Sequence, residues 1–220
     1  MNAATRLLAL AGPAGSIDLA LDLPAGAALG VAVVAHPHPL HGGTRDNKVA
    51  LTMARALVAL GHETWRPNFR GVGASAGEFD DGDGETDDLL AVVEHALTEA
   101  RARGTPQRLV LAGFSFGSFV QSRVAARLAA RGTPAARIVL VGTAASRWRI
   151  EPVPPGTLVI HGETDDVVPL AAVLDWARPQ ALPVVVVPGA DHFFNRQLVP
   201  LKSVILRAWG GLAATDAADA

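Results

Sequence analysis

The chain has 220 residues, of which half are hydrophobic and 18% are charged, with a formal net charge of -2 and no cysteine. This length suits one domain with one hydrophobic core, and the balance of apolar and charged residues is that of an ordinary soluble globular protein. The small net charge gives no electrostatic case for binding nucleic acid or an anionic membrane. The lack of cysteine excludes a thiol nucleophile, a cysteine-ligated zinc and a disulfide framework.

We therefore predict a single domain over residues 1–220 with a cytoplasmic location, and about ten C-terminal residues that form a disordered tail. The start of the chain has too short an apolar patch for a secretion signal. Residues 23–44 lack formal charge but hold three prolines and three histidines, which a lipid-facing helix would not tolerate. We interpret this stretch as a buried strand between loops.

Apolar strands and amphipathic helices alternate along the chain. "SIDLALDLP" predicts an edge strand and "GVAVVAH" a buried parallel strand, followed by a helix from Lys48 to Leu60 that Gly61 ends. "HETWRPNF" is the next strand, and a glycine-rich loop leads from it to a helix from Thr86 to Arg103.

The second half repeats the alternation. "RLVLAGFS" is a strand before the helical "GSFVQSRVAARLAARG", and three short strands follow: "RIVLVG", "TLVIHG" and "PVVVVPG". The helical "LAAVLDWAR" separates the last two strands, and a final helix runs from Phe194 to Trp209. This order favours a parallel sheet covered on both faces, in which ligands bind beyond the carboxyl ends of the strands.

The sharpest motif is "GFSFG" at residues 113–117, which fits G-x-S-x-G between a strand and a helix. A sharp turn there would raise the hydroxyl of Ser115 above the sheet and aim the free N–H groups of the next helix at the site. Ser115 is the predicted nucleophile.

A serine nucleophile needs a base, and the base needs an acid to orient it. In a sheet of this kind the expected chain order is serine, acid, histidine. His192, in "PGADHFF", is the predicted base, whereas His161 sits at the end of its strand, where packing or a turn is its more common role. Asp165 is the favoured acid among Glu163, Asp165 and Asp166, with Asp166 as the alternative.

These segments resemble the α/β-hydrolase superfamily, and more narrowly its small carboxylesterase-like hydrolases. The resemblance rests on "HPHPLHGG", "NFRGVGASAGEFDDGDGE", "GFSFG", "HGETDDVVP" and "DHFF" in this order. It implies an α/β-hydrolase fold with a mostly parallel sheet of about seven to eight strands and helices on both faces. It also implies Ser115, Asp165 and His192 as nucleophile, acid and base of an esterase, with no cofactor and no metal.

The histidines at 36, 38 and 41 then belong to a loop that helps to hold an oxyanion. One backbone donor is expected from Phe116, after the nucleophile, and the second from the loop after an early strand. Pro37 and Pro39 have no N–H. By similarity to superfamily members the second donor is His38, with Leu40 as the alternative.

Two kinds of metal site are the alternatives, one in the histidine loop and one in the acidic segment of residues 79–88. The three histidines approach the H-x-H-x-D-H spacing of binuclear metallohydrolases, but Leu40 stands at the aspartate position and no second ligand set is recognisable. The acidic "FDDGDGETDD" does not fit the EF-hand pattern, so Glu85, Asp87 and Asp88 are interpreted as carboxylates near the positive end of the next helix.

The predicted function is hydrolysis of a small carboxylic ester through an acyl-enzyme, and the alternatives are amides or peptides, thioesters and lactones. A metallohydrolase and a non-catalytic binding module on the same scaffold are the rival classes. The connection "TAASRWRIEPVPPG" leaves no room for a cap domain, so the site should be open. Phe114, Phe193, Phe194 and Trp148 are the predicted substrate-binding rim. We expect no nucleic acid or membrane partner, and the sequence leaves a homodimer open.

Overall fold

An eight-stranded sheet forms the centre of the molecule in a computed structural model that describes residues 5–210. The strands are β1 (Thr5–Gly12), β2 (Gly15–Asp22), β3 (Gly30–Ala35), β4 (His62–Pro67), β5 (Leu109–Phe114), β6 (Arg137–Val141), β7 (Leu158–Gly162) and β8 (Val184–Val187). Their spatial order is β1-β2-β4-β3-β5-β6-β7-β8. Strand β2 is antiparallel to both neighbours, and all later pairs are parallel. The C-terminal tail predicted above lies outside the described residues.

Five α-helices cover the two faces of the sheet. They are α1 (Lys48–Ala59), α2 (Asp83–Ala102), α3 (Phe116–Ala130), α4 (Leu170–Ala177) and α5 (Leu198–Gly210). Helices α2, α3 and α4 pack on one face, and α1 and α5 on the other. On β3 the alternation is plain, since Val31 and Val33 enter the first core and Ala32 and Val34 the second. The predicted mostly parallel sheet with helices on both faces is therefore confirmed.

The prediction of β2 as an edge strand is wrong. Strand β1 lies outside it, joined by a tight hairpin in which Gly12 pairs with Gly15. Strand β1 could not be recognised in the sequence because its residues are mostly exposed, with Leu7 60% and Leu8 37% accessible. It therefore lacks the alternation of buried and exposed residues that indicates a strand.

Two helices begin elsewhere than predicted. Helix α2 begins at Asp83, three residues early, because the carboxylate of Glu85 accepts hydrogen bonds from the N–H groups of Gly82 and Asp80 and so caps the first turn. Helix α5 begins at Leu198, since Phe194 and Arg196 adopt positive φ angles that break helical geometry.

Between β6 and β7, residues 142–157 contain no helix or strand. This connection agrees with the prediction that no cap domain lies over the carboxyl ends of the strands. Within residues 5–210, no helix combines the length and the apolar character that a bilayer crossing would need.

Two glycines let α3 start directly against the sheet. A side-chain carbon on Gly117 would lie 2.4 Å from the carbonyl oxygen of Ala35, at the end of β3. A side-chain carbon on Gly113 would lie 2.3 Å from the carbonyl oxygen of Gly117. Both distances are far shorter than van der Waals contact, so only glycine allows this turn from β5 into α3.

We expect Gly117→Ala to lower the free energy of unfolding by about 1–3 kcal/mol, because the added methyl group forces α3 away from β3. The control is Gly156→Ala, where nothing lies within 4 Å of the added carbon and φ is not positive. Its stability should stay within about 1 kcal/mol of the wild type or rise slightly. Urea unfolding followed by circular dichroism measures both, and equal stabilities of the two variants would contradict this account of the turn.

Candidate active site

Ser115 stands at the turn between β5 and α3, with φ 54° and ψ -118°. A non-glycine residue reaches this region only at a cost of roughly 1–3 kcal/mol, which the surrounding packing must offset. Its N–H donates to the carbonyl of Val141 (2.9 Å), and its carbonyl accepts the hydroxyl of Ser118 (2.5 Å). The backbone of Ser115 is thus fixed from both sides while its side chain remains partly exposed.

His192 lies in the loop after β8 and is buried, with its ring packed on that of Phe114 (centroids 5.0 Å apart). Its Nε2 is 3.0 Å from Oγ of Ser115, and its Nδ1 is 2.7 Å from Oδ2 of Asp165. The carboxylate accepts the Nδ1 proton, so Nε2 of the neutral ring is left to accept the serine hydroxyl. We call this arrangement the Ser115–His192–Asp165 chain.

The structure brings Asp165, and not its neighbours, to His192. Oδ1 of Asp165 accepts the N–H groups of Val167 (3.0 Å) and Val168 (2.7 Å), which leaves Oδ2 for the histidine. Asp166 is exposed, and Glu163 accepts the N–H of Gly189 instead.

The carboxyl of Asp165 is held in its charged form. Burial alone would raise its pKa, but the hydrogen bonds from His192 and Val168, together with the charge interactions with His192 and His161, outweigh burial, and the pKa lies below its ordinary value. A carboxylate that stays ionised can orient an imidazole and stabilise its protonated form.

His161 belongs to this site, although the sequence favoured packing or a turn. It is fully buried at the end of β7, and its Nε2 lies 2.9 Å from the carbonyl oxygen of Val168 and 3.3 Å from Oδ2 of Asp165. Burial lowers the pKa of His161, which keeps the ring neutral with its Nε2 proton directed at these two oxygens. The signal available in the sequence was its position, four residues before Asp165 on the same strand-to-loop segment.

The loop after β3 is tied to the loop after β4 by His36. The N–H of Phe69 donates to Nε2 of His36 (2.9 Å), so the ring proton lies on Nδ1, which donates to the carbonyl of Pro37 (2.7 Å). Both ring nitrogens of the buried His36 are therefore used to shape the loop. Burial lowers the pKa of His36 to about 4, and the positive charge of Arg45 acts in the same direction.

Within residues 5–210, the N–H of His38 in this loop has no hydrogen-bond acceptor. The same is true of the N–H of Phe116, at the first position of α3. The N–H of Leu40, in contrast, donates to Nδ1 of His38 (3.2 Å). The loop closes tightly, because a side-chain carbon on Gly43 would lie 2.1 Å from the carbonyl oxygen of Pro37.

The three histidines of this loop do not converge on a common point. The nitrogens of His36 are engaged as described, while the rings of His38 and His41 lie beside each other with centroids 4.6 Å apart. Within the described part of the chain, no cluster of three or more histidine and carboxylate side chains has the geometry to hold a metal ion.

A cleft of about 590 Å³ opens over Ser115 and His192. Of the predicted rim residues, Trp148 and Phe193 line this cleft. Phe114 and Phe194 do not: both are fully buried in the core beneath helices α1 and α5. Phe114 points to that core because it lies two residues after the buried Ala112 on β5, and Phe194 is turned inward by its positive φ.

The fold and this strand-to-helix turn define a known family. The sequence model of the alpha/beta hydrolase fold family matches residues 40–156. The chain belongs to the α/β-hydrolase fold family.

Within that family the chain is similar to two solved structures over almost its full length. One is an α/β serine hydrolase without a lid from Xanthomonas campestris, 39% identical, covering 94% of each chain with a TM-score of 0.84. The other is an α/β serine hydrolase homologue from Coxiella burnetii, 35% identical, covering 92% of this chain and 96% of that one with a TM-score of 0.77. An uncharacterized protein of Rickettsia prowazekii is 30% identical over 178 residues, 75% of this chain and 72% of the relative.

The neutral state of His36 makes stability depend on pH. The unfolded chain takes up a proton on this ring near pH 6.5, whereas the folded chain does so only near pH 4, so acidification favours unfolding in that window. Between pH 6.5 and 4 we expect His36 to contribute a loss of up to about 3 kcal/mol in the free energy of unfolding. Urea unfolding at a series of pH values measures the loss.

The variant His36→Gln should lose less stability than the wild type between these pH values, because its side chain does not titrate. The exposed His41 supplies the control, and His41→Gln should follow the wild type. If His36→Gln and the wild type lose stability in parallel, His36 is not a neutral buried ring.

Proposed function

We propose that the protein is a serine hydrolase that cleaves carboxylic esters through an acyl-enzyme. The observation that carries the proposal is the continuous Ser115–His192–Asp165 chain, with distances of 3.0 Å and 2.7 Å, at the floor of an open cleft. The similarity to the Xanthomonas and Coxiella proteins, both described as serine hydrolases or homologues of them, supports it.

In the first half of the reaction, Oγ of Ser115 attacks the ester carbonyl while Nε2 of His192 takes its proton. Asp165 stabilises the imidazolium that forms, and the same proton then passes to the departing alcohol. In the second half, His192 removes a proton from water, whose oxygen attacks the acyl carbon. The bond between that carbon and Oγ of Ser115 then breaks, His192 returns the proton to Oγ, and the carboxylic acid leaves.

The negative oxygen of each tetrahedral intermediate is assigned to the backbone N–H groups of Phe116 and His38. Both are unpaired within the described residues, and both border the cleft beside Ser115. His38 is preferred to Leu40 as the donor because the Leu40 N–H is already bonded to the His38 ring. A preorganised donor of this kind contributes about 3–4 kcal/mol to lowering the barrier.

We expect wild-type protein to hydrolyse 4-nitrophenyl acetate and butyrate and to be labelled by a fluorophosphonate probe, whereas Ser115→Ala should lose both. The loss in kcat should be on the order of 10⁴–10⁶, since the nucleophile and base act as a unit. Ser203→Ala on α5 is the matched control, with activity and labelling as in the wild type. Labelling that persists in Ser115→Ala, or is absent from the wild type, would overturn the serine mechanism.

The two neighbouring aspartates provide a test of the acid. Asp165→Asn should lower kcat by roughly 10⁴, because the amide cannot hold the imidazole in the required tautomer or stabilise its charge. Asp166→Asn should remain within about twofold of the wild type, since its exposed side chain makes no contact with His192. The type of bond cleaved is tested with a panel of esters, amides, thioesters and lactones. The rate of product formation from each substrate then ranks the four bond types.

His161 should act as a positioning residue for the acid. We expect His161→Leu to lower kcat about tenfold, because Oδ2 of Asp165 loses one of the two N–H groups that face it. His161→Gln keeps an N–H donor and should recover most of that loss. A merely structural role would lower thermal stability without this difference between Leu and Gln, so kcat, KM and the unfolding temperature are measured for both variants.

A further inference from the structure

We propose that the cleft is built for esters that carry an anionic group, and that Arg147 is the residue that recognises this group. The inference rests on the proposed function and adds the substrate class to it.

Arg147 alone has a permanent charge among the described residues that line the cleft. The remaining lining residues are neutral or imidazole side chains, and the carboxylate of Asp165 is fully covered behind His192. Among the residues that line the cleft, an anionic group on a bound ester would therefore meet a cation and no carboxylate.

The guanidinium of Arg147 is also left without a carboxylate partner within residues 5–210, unlike the arginines of helix α3 and the arginine that follows its last residue. Arg123 pairs with Asp83, Arg127 with Asp87, and Arg131 with Glu94 at 3.1 Å. A cation without a partner is available to a ligand, whereas the paired arginines would first have to release a carboxylate.

The backbone of Arg147 is tied to that of the nucleophile. Its N–H donates to the carbonyl of Ala144 (3.1 Å), and the N–H of Ala144 donates to Oγ of Ser118 (3.3 Å). The same hydroxyl donates to the carbonyl of Ser115 (2.5 Å). One hydrogen bond, from Ala144 to Ser118, thus joins the segment of Arg147 to the turn of Ser115, and the two local bonds extend it to the backbones of both residues.

Flat side chains stand beside this cation. Trp148 is held by stacking on Phe119 (centroids 4.9 Å apart) and by an edge contact with Phe116 (5.2 Å). Phe193, 41% exposed, also lines the cleft. A planar or apolar body can lie against these rings while its charged end reaches the guanidinium.

The field of Arg147 already acts across the cleft. The pKa of His38 is lowered, first by burial and then by the neighbouring His41 and Arg147, while the exposed Asp81 opposes this. The other cation near the mouth, Lys48, is 5.9 Å from the Phe193 ring centroid, but it bonds the side chain of Asn195 and lies beside Asp191. Arg147 is thus the cation left for a substrate.

Two ester pairs test the proposal, one with the charge on the alcohol side and one on the acyl side. They are 4-acetoxybenzoate against its methyl ester, and 4-nitrophenyl hydrogen adipate against 4-nitrophenyl hexanoate. The measured quantity is the ratio of kcat/KM for the anionic ester to kcat/KM for its neutral partner. Because the ratio is taken within one protein preparation, a loss of folded enzyme cancels.

In at least one pair, Arg147→Gln should lower this ratio by roughly three- to fivefold, the effect of one partly exposed charge pair. Arg147→Glu should lower it further, and Arg147→Lys should keep most of it. Arg149→Gln is the matched control: it removes the same charge from an exposed arginine that does not line the cleft, and its ratio should equal that of the wild type. Added salt should lower the wild-type ratio and leave that of Arg147→Gln nearly constant.

Ratios that are the same in the wild type, Arg147→Gln and Arg149→Gln for both pairs would overturn the proposal while leaving the esterase intact, since both esters of each pair would still be cleaved through Ser115. If no ester is cleaved and the fluorophosphonate does not react, the proposed function fails and this inference fails with it.

Discussion

The contact on which the rest of the site depends is the close approach of the first turn of α3 to the end of β3. Gly117 packs against the carbonyl of Ala35, and Gly113 packs against Gly117 itself. These contacts keep Ser115 in a backbone region that side chains avoid, with its hydroxyl above the sheet and the N–H of Phe116 beside it. The same approach brings the loop after β3, which carries His38, next to Ser115, the proposed nucleophile. One packing constraint thus places the hydroxyl of Ser115 and the N–H groups of Phe116 and His38, which have no partner among residues 5–210.

Asp165 and His192, the proposed acid and base, come from the other half of the sheet, and their positions follow from its topology. Strands β7 and β8 are parallel neighbours, so the loops that follow them both leave the sheet at the carboxyl ends of the strands. Asp165 stands in the first of these loops and His192 in the second, which is why residues 27 apart in sequence meet at 2.7 Å. Strands β5, β6 and β7 are also parallel to one another, so the turn that bears Ser115 lies at the same end of the strands.

Much of this arrangement could be predicted from the sequence because strand ends are marked by local patterns. Runs of apolar residues located the strands, and Ser115, Asp165 and His192 each follow such a run. Side-chain direction was harder. Phe193 and Phe194 are adjacent, yet one lines the cleft and the other fills the core, because a positive φ that no local pattern indicates turns Phe194 inward. His161 could not be assigned, since its contact with Asp165 depends on the path of the intervening loop.

The short connection between β6 and β7 has a consequence for the timing of the proposed reaction. Because residues 142–157 form no helical cap over the proposed acyl-enzyme, bulk water reaches the ester bond without waiting for a cover to open. Leaving alcohols also diffuse away without a gate. The rate-limiting step should then be the formation or cleavage of a covalent bond. The value of kcat should therefore depend more on the electronic character of the leaving group than on the viscosity of the medium.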